Sequence, residues 1–248
     1  MITNMARWNL WHGCKKVSAG CKNCYVYRMD AAFGKNAAEV YKTNDFALPL
    51  QQKKDGSYKI ESGSKVYTCF TSDFFLAEAD EWRGEAWEMM KARQDLFFEI
   101  ITKRPERIPS TLPVDWGASY KHISIACTIE NQEIADKRLP IYLKTPIYHK
   151  SIVCEPLLEE IDLSKYLSTE IEQITVGGES GKYARVCDFE WVLSLQGQAE
   201  ENNISFYYHQ TGAKSRKNGR IYSIPRNLQG AQAKKANISQ YRCIDKDF

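Results

Sequence analysis

The fold is decided by residues 122–155, which read HISIACTIENQEIADKRLPIYLKTPIYHKSIVCE. Near-continuous apolar runs at His122–Ile129 and Ile147–Cys154 predict two strands that are buried on both faces. The intervening residues Gln132–Leu143 have the apolar spacing of a helix. A strand, a helix and a further strand in this order are typical of a parallel sheet.

The same alternation extends in both directions from this unit. The other predicted strands are Arg7–Trp11, Val66–Thr71, Leu96–Thr102, Gln173–Gly177 and Ile204–Tyr208. The other predicted helices are Tyr25–Phe33, Glu78–Ala92, Glu106–Pro109, Leu157–Leu167 and Asp188–Asn202. This pattern predicts an α/β fold with parallel strands, and its length fits either an open doubly wound sheet or a complete or partial (βα) barrel.

Six of these strands end in polar or ionisable residues. The residues are Ser72-Asp73, Lys103-Arg104, Glu130-Asn131, Glu155, Gly178-Glu179-Ser180 and His209-Gln210. A (βα) barrel builds its active site from the C-terminal ends of several strands, whereas an open sheet concentrates its site at one switch point. Six polar strand ends in succession therefore favour an enzyme with a partial (βα) barrel.

The composition indicates an ordinary globular chain. Its 248 residues are 43% hydrophobic and 26% charged, which suits one large domain or two small ones and excludes collagen-like, disordered and coiled-coil proteins. No apolar run approaches the roughly 18 residues of a membrane helix, and the first residues lack the apolar block of a signal peptide. We therefore expect a cytoplasmic protein with no membrane partner.

The net charge of +3 is unevenly distributed along the chain. Residues 210–248 contain nine basic and two acidic residues, a net charge of +7, which leaves −4 for the remainder. We expect a barrel over residues 1–212 with a polar insertion around 44–64, and a basic C-terminal extension over 213–248 packed on or near the barrel mouth. Gly212, Gly219 and Gly230 are expected to break any long helix there. The charge suits a phosphate-bearing partner, and a solvated surface is the alternative.

Three of the eight cysteines form a cluster, Cys14, Cys21 and Cys24, with the spacing C-x6-C-x2-C. The isolated cysteines are Cys69, Cys127, Cys154, Cys187 and Cys243. The first three of these lie in predicted strands, where we expect them to pack in the core.

The cluster itself admits three interpretations: a structural zinc site that His12 would complete, a [4Fe–4S] cluster bound by three cysteines, or coincidence. Its loop follows the first predicted strand and so faces the same mouth as the polar strand ends. A structural zinc has no reason to lie there, so this position favours the iron–sulfur cluster.

Five motifs together carry a resemblance to a known family. They are WNLWHGC at 8–14, SAGCKNCY at 18–25, ITKRPER at 101–107, EPLL at 155–158 and GGESG at 177–181. In this order they resemble the phage and bacterial family of three-cysteine-motif proteins in the radical S-adenosylmethionine superfamily, over about residues 8–212. The usual superfamily triad is C-x3-C-x2-C with an aromatic residue before the last cysteine. Here Asn23 has that place, and Tyr25 is expected to cover the adenine instead.

The resemblance implies a radical S-adenosylmethionine enzyme with a radical SAM-like barrel. Cys14, Cys21 and Cys24 would bind three irons of a [4Fe–4S] cluster, and S-adenosylmethionine would bind the fourth and be cleaved to a 5′-deoxyadenosyl radical. The residues expected to contact the cofactor are Tyr25, Ser72, Asp73, Thr102, Lys103, Glu130, Asn131, Glu155, Gly178 and Glu179. Of these, Lys103 and Glu155 are expected to be catalytic.

The expected substrate is a nucleotide or nucleic acid that undergoes base modification or repair. The residues expected to contact it are Arg104, Arg185, His209, Lys214, Arg216, Lys217 and Arg220. An external electron donor such as flavodoxin or ferredoxin is implied, and we expect a monomer in the cytoplasm of a bacterium or a phage-infected host cell. The alternative function is a zinc-stabilised nucleic-acid-binding protein without redox chemistry.

Overall fold

The structure is a computed structural model that describes residues 4–242. The strands are β1 (Met5–Trp8), β2 (Trp11–His12), β3 (Tyr41–Lys42), β4 (Lys65–Thr68), β5 (Phe97–Thr102), β6 (Ile123–Thr128), β7 (His149–Cys154), β8 (Ile171–Gly177), β9 (Cys187–Asp188), β10 (Ser205–Gln210), β11 (Lys214–Lys217) and β12 (Arg220–Ser223). The α-helices are α1 (Tyr25–Ala32), α2 (Asp80–Ala92), α3 (Ile108–Thr111), α4 (Gln132–Lys144), α5 (Phe189–Glu201) and α6 (Arg226–Ala236). Short 3-10 helices occupy Ala19–Cys21, Leu48–Leu50, Ala77–Ala79 and Pro105–Arg107.

Seven strands form a parallel sheet in the order β1-β4-β5-β6-β7-β8-β10. Each strand pairs with the next strand of this sheet along the chain, so the order never reverses as it does in a doubly wound sheet. The sheet curls into a half-barrel that is open between its two edge strands, β1 and β10. The predicted α/β fold, a partial (βα) barrel of parallel strands, is confirmed.

The two faces of the sheet differ in burial. In β5, Phe98 and Ile100 belong to the buried core, whereas the alternating residue Glu99 is half-buried. In β10, Phe206 is in the core and His209 is exposed. Because side chains alternate between the faces of a strand, β5 and β10 each have one buried apolar side and one more accessible side. The central strand β6 is buried at every position.

Two local predictions were wrong. The predicted helix Leu157–Leu167 is absent, and this stretch is a loop of turns whose apolar side chains are buried. Side chains of two helices satisfy part of the loop's backbone. In α5, Gln198 donates to the Ile161 carbonyl oxygen (2.9 Å) and accepts from the Leu163 amide (2.6 Å), and in α4, Gln132 accepts from the Asp162 amide (2.8 Å). The first strand ends at Trp8 rather than at residue 11, and a bend at residues 9–10 leads into β2, which belongs to another sheet.

The polar insertion is anchored to the helix that follows it. Residues 44–64 contain one 3-10 helix and a bridge between Gln52 and Tyr58. The guanidinium of the buried Arg93, at the end of α2, donates to the carbonyl oxygens of Pro49 and Ile60. This contact holds the insertion against the barrel wall.

The chain after residue 212 makes contacts with the barrel. β11 pairs with β12 and, in parallel, with β9, while the Thr211 amide donates to the carbonyl oxygen of Gln229 in α6 (3.4 Å). Gly230, which was expected to interrupt a helix, lies inside α6. Residues 243–248, including Cys243, lie outside the described part. Among residues 4–242, no helix combines the length and apolar character needed to cross a membrane.

Candidate functional site

The three clustered cysteines lie in one loop, residues 13–24, between β2 and α1. All three thiols are free and half-buried. The loop is fixed at its start, where the Gly13 amide donates to the Thr71 carbonyl oxygen (3.2 Å) and the Cys14 amide to that of Ala37 (2.8 Å). It ends at Cys24, the residue before the first turn of α1. The contact with Thr71 places this cysteine loop at the C-terminal end of β4.

Two glycines let the cysteine loop pack closely on its surroundings. Gly13 has a φ of +88°, and a Cβ added there would lie 1.9 Å from the Glu39 carbonyl oxygen. A Cβ on Gly20 would lie 2.5 Å from Oε1 of Glu130, the carboxylate after β6. Any larger residue would force the loop away at either position.

A buried arginine lies beside the first cysteine. Both terminal nitrogens of Arg104, at the end of β5, are 3.8 Å from the Cys14 sulfur, and Nη1 is also 2.9 Å from Asp73 Oδ2. Burial raises the pKa of Cys14 to about 11, and the charge of Arg104 opposes that rise. A guanidinium favours the thiolate over the thiol, so this cation is placed to support a cysteine that ligates a metal.

Asp73 joins the ends of β4 and β5. Its buried carboxylate accepts hydrogen bonds from the Thr102 hydroxyl (2.7 Å), the Phe75 amide (3.0 Å), the Lys103 amide (2.9 Å) and Arg104 (2.9 Å). An ionised carboxylate has about four acceptor positions, so protein donors occupy all of those of Asp73. Asp73 and Thr102, both expected to contact a cofactor, thus position Arg104. Ser72 donates to the Gly13 carbonyl oxygen and thereby holds the cysteine loop.

Glu130 contacts the middle of the cysteine loop. Its fully buried carboxylate accepts from the Ser18 hydroxyl (2.7 Å) and from Arg138 (3.2 Å), and it lies 4.0 Å from Nζ of Lys103. Two cations therefore balance the one buried charge. The neighbouring Asn131 serves α4, because its side chain accepts from the Ile134 amide (3.0 Å) as an N-cap.

Glu179, in the GGESG motif after β8, contacts the far end of the cysteine loop. It accepts from the Asn23 side chain (2.9 Å) and pairs with Arg185, whose guanidinium also donates to the Ala19 carbonyl oxygen (3.0 Å). Burial raises the pKa of Glu179, but hydrogen bonds from Arg185 and Asn23 outweigh burial and leave the pKa below its ordinary value. Glu179 is therefore a stable anion between the loop and β8.

A second polar cluster lies at the ends of β7, β8 and β10. Glu155 accepts from His209 Nδ1 (2.8 Å) and from the Gln210 side chain (2.7 Å). This hydrogen bond from His209 to Glu155 raises the pKa of the imidazole, which favours the protonated ring. A Cβ on Gly177 would lie 2.6 Å from the Glu155 carboxyl carbon, and a Cβ on Gly178 would lie 2.5 Å from the Thr211 carbonyl oxygen. These strands therefore approach each other closely at the mouth.

The remaining predicted contacts are spread over the mouth and the C-terminal hairpin. Tyr25 donates its hydroxyl to the Phe70 carbonyl oxygen, and burial raises its pKa. Arg216, Lys217 and Arg220 have partners of their own, respectively Asp188 (3.1 Å), the Phe189 ring (4.6 Å) and the Tyr222 ring (5.3 Å). Lys214 lines a separate cleft. Lys217 and Arg220 are cross-strand neighbours in the hairpin, but of the four predicted hairpin cations Lys214 alone lines this cleft.

Aromatic side chains near the open edge were not predicted as site residues. Tyr67 lies 5.5 Å from Phe70, and Arg7 lies 5.5 Å above the Phe70 ring. The Tyr207 ring lies 6.3 Å from that of Tyr241. The pKa of Tyr207 is raised mainly by burial and, to a smaller extent, by the electrostatic effect of Tyr241 and Tyr67. Alternation along β4 and β10 could have identified Tyr67 and Tyr207, because each adjoins a buried neighbour in its strand.

The three thiols and their neighbours determine which metal group the cysteine loop suits. In residues 4–242, no three His, Cys, Asp or Glu side chains are close enough to hold one metal ion, so Cys14, Cys21 and Cys24 do not converge on a single ion and their fit to a metal group rests on their chemistry. His12, which would complete the zinc alternative, pairs through Nε2 with Asp30 (2.7 Å). Three free thiols in one glycine-containing loop are soft ligands of the kind that bind iron–sulfur clusters. With Arg104 beside Cys14, these donors fit a group ligated by three thiolates.

A family model described as "Protein of unknown function (DUF5131)" matches residues 3–242. The chain belongs to this DUF5131 family. A search of curated proteins found no match. Among solved structures, the DUF5131 chain is similar to "Spore photoproduct lyase complexed with dinucleoside spore photoproduct", with a TM-score of 0.45, 13% identity, and coverage of 92% of this chain and 69% of that chain. The resemblance to the three-cysteine-motif family stays a prediction.

Proposed function

We propose that this DUF5131 protein is a radical S-adenosylmethionine enzyme that acts on a nucleotide or nucleic acid. One observation carries the proposal. Four side chains at the ends of four strands are linked by hydrogen bonds to a loop with three free thiols. They are Asp73 after β4, Arg104 after β5, Glu130 after β6 and Glu179 after β8. Barrel enzymes build their active sites from these strand ends.

In this proposal, Cys14, Cys21 and Cys24 hold a [4Fe–4S] cluster. When bound, the cluster and S-adenosylmethionine supply one-electron cleavage of the sulfonium and hydrogen abstraction by the resulting carbon radical. The surrounding residues hold the ligands in place and keep water out. Arg104 offsets the negative charge near Cys14, and the fully buried Trp11 donates through Nε1 to the Asp73 carbonyl oxygen (3.2 Å) beneath the loop.

The side chains at the mouth have distinct proposed roles. Lys103, whose Nζ lies 4.0 Å from Glu130, is proposed to bind the carboxylate of the cofactor. Tyr25, next to Cys24, is proposed to cover its adenine. Gly178 leaves room for close approach of a ligand to the backbone. Glu155 and His209 share a hydrogen bond and form an acid–base pair that can hold or move a proton at His209 Nδ1. Gln210 fixes the other oxygen of Glu155 (2.7 Å).

The aromatic residues at the open edge support a substrate that contains nucleobases. Tyr67 and Phe70 lie on one side with Arg7, and Tyr207 and Tyr241 are neighbours on β10 and the chain that follows α6. Aromatic rings and guanidinium planes stack on unpaired bases, with about 1–3 kcal/mol per base. A base extruded from a strand would have such a surface next to the cysteine loop.

Formation of 5′-deoxyadenosine tests this function. The protein is reconstituted anaerobically with iron and sulfide, reduced with dithionite, flavodoxin or ferredoxin in the presence of S-adenosylmethionine, and its products are quantified by mass spectrometry. We expect 5′-deoxyadenosine from the wild type and from Cys127→Ala, a variant of a buried strand cysteine, and none from Cys14→Ala, Cys21→Ala or Cys24→Ala. No product from the reconstituted wild type with any of the three reductants would contradict the proposal.

A further inference from the structure

A cleft next to the cysteine loop is lined by basic residues from four parts of the chain. Its volume is about 440 Å³, within the range of sites for small molecules. Its cations are Arg28 in α1, Lys182 after β8, Lys214 in β11 and Arg226 at the start of α6. Among residues 4–242, no acidic residue lines the cleft. Like charges from separate elements have therefore been gathered at one place without a carboxylate to balance them.

These four cations differ from their neighbours in having no acidic partner. In the described chain, none of the four forms an ion pair, whereas Arg216 on the same hairpin pairs with Asp188 (3.1 Å). The half-buried Arg28 donates to the Ser180 hydroxyl (3.2 Å), but its Nε is buried with no hydrogen-bond partner. Arg28 and Lys214 are half-buried, whereas Lys182 and Arg226 are exposed at the rim. Because partly buried positive charge is costly when it is unpaired, the two half-buried cations favour a bound anion, and the two exposed cations add to the attraction.

Gly181 fixes the position of Arg28 in the wall of the cleft. A Cβ on Gly181 would lie 1.2 Å from Nη1 of Arg28, and the φ of Gly181 is +100°. The guanidinium thus occupies the space that any other side chain at 181 would take. The last glycine of the GGESG motif therefore has a role that the candidate metal centre does not explain, since it leaves the space in which the Arg28 guanidinium lies.

The start of α6 adds to the positive potential of the cleft. Pro225, Arg226 and Gln229 line the cleft, and the first turn of this eleven-residue helix contains no acidic residue. The amino end of a helix carries a partial positive charge and unpaired amide groups, and both favour an anion.

We propose that this cleft binds a phosphate group, and that the phosphate is that of a nucleotide or nucleic-acid strand. The phosphate chemistry follows from the cleft alone, whereas its assignment to the substrate rests on the proposed function. The Arg28 amide donates to the Cys24 carbonyl oxygen (3.3 Å), so the cleft lies one helical turn from the cysteine loop. A strand anchored there by one phosphate would place an adjacent nucleotide at the barrel mouth.

The proposal also revises the expected role of the basic extension. Of the four hairpin cations expected to contact phosphate, only Lys214 lines the cleft. Lys217 and Arg220 instead lie over aromatic rings of their own neighbourhood. They therefore make a matched control, because their replacement removes the same charge from the same hairpin region without altering the cleft.

Binding of a fluorescently labelled single-stranded oligonucleotide, followed by anisotropy over a series of KCl concentrations, tests the cleft. We expect Lys214→Ala/Arg226→Ala to weaken binding at least about tenfold, since two charge-assisted contacts to phosphate are lost. The slope of log affinity against log salt should fall by about 1.4, the value for two lost contacts to a single strand. Lys217→Ala/Arg220→Ala should stay within about twofold of the wild type. Equal losses in both pairs, or no loss in the first, would overturn the proposal.

Two further arms identify the ligand and the role of Arg28. Displacement of the oligonucleotide by adenosine monophosphate but not by inorganic phosphate would assign the cleft to nucleotides, and displacement by both would show that phosphate suffices. Gly181→Ala should weaken binding as Arg28→Ala does, with circular dichroism confirming that both are folded. Full binding by both folded variants would contradict the assigned role of Arg28. No reductant or S-adenosylmethionine is present, so failure here is distinct from failure to form 5′-deoxyadenosine.

Discussion

Replacing Arg104 by methionine tests the contacts that hold the cysteine loop on β4 and β5. Methionine roughly replaces the unbranched stem of arginine and lacks the guanidinium. The side chains of Arg104 and Asp73 are 5% and 6% exposed, so the change leaves a carboxylate buried without its cation. It also removes the contacts of Arg104 with the Cys14 sulfur and with the Lys15 carbonyl oxygen (2.6 Å).

The expected loss of stability follows from this burial. Breaking a buried ion pair by removing one partner costs about 3–5 kcal/mol, whereas exposed pairs contribute about 0–1 kcal/mol. Asp73 keeps its hydrogen bonds from Thr102, Phe75 and Lys103, so we expect the lower end, about 3 kcal/mol. With a urea slope of about 3 kcal/mol per molar, the unfolding midpoint of Arg104→Met should fall by about 1 M.

The assay is urea unfolding of the cluster-free protein, followed by tryptophan fluorescence, for Arg104→Met, Asp73→Asn and the double variant. Because the two side chains contact each other, we expect a coupling free energy of about 1–3 kcal/mol. Arg107→Met is the control, since Arg107 and its partner Asp80 are 29% and 50% exposed, and it should cost at most about 1 kcal/mol. The reasoning is refuted if Arg104→Met costs no more than Arg107→Met, or if the effects of the Arg104 and Asp73 changes are additive.

Three further changes probe other contacts of the site. Gly20→Ala should lower the free energy of unfolding by about 1–3 kcal/mol and reduce iron uptake, because the alanine Cβ would lie 2.5 Å from Glu130 Oε1. An unaltered unfolding midpoint together with an unaltered iron content would contradict this prediction. Glu155→Gln should lower the pKa of His209 toward its ordinary value of 6.5, which an NMR titration measures. The variant should also lose the stabilisation that the wild type has below pH 6.5 and loses as the pH rises through the raised pKa of His209. An unchanged His209 titration would refute this prediction. Because the pKa of Glu179 is lowered in the fold, its carboxylate stabilises the protein above about pH 4.5, and this contribution is lost on acidification. Glu179→Gln should therefore make the free energy of unfolding fall less steeply with decreasing pH. An unaltered acid transition would contradict the ion pair.

The barrel could be predicted because its central strands, β6 and β7, are largely buried on both faces. Such strands leave continuous apolar runs, as in β6 and β7, and the polar residues after them indicate the mouth. The loop at 157–167 was mistaken for a helix because its apolar residues are buried too. Two of its backbone groups bond to Gln198, which lies more than thirty residues further on, and no local pattern reveals such a partner.

The place of the cysteine loop could be predicted, whereas its contacts could not. The sequence placed Asp73 and Glu130 at strand ends, but their partners, Arg104 and Ser18, depend on how the strands are juxtaposed. Charge counting in the C-terminal extension had the same limit. It did not distinguish Lys214, which lines the cleft, from cations that have other partners, nor could it add Arg28 from α1.

Analysis of iron and acid-labile sulfide after anaerobic reconstitution tests most directly whether the three cysteines hold a [4Fe–4S] cluster. We predict about four irons and four sulfides per chain, a brown protein, and an electron paramagnetic resonance signal on reduction that changes when S-adenosylmethionine is added. The triple variant Cys14→Ala/Cys21→Ala/Cys24→Ala should lose all three properties, whereas Cys127→Ala should keep them. A colourless protein with one zinc, or a cluster that persists in the triple variant, would contradict the assignment.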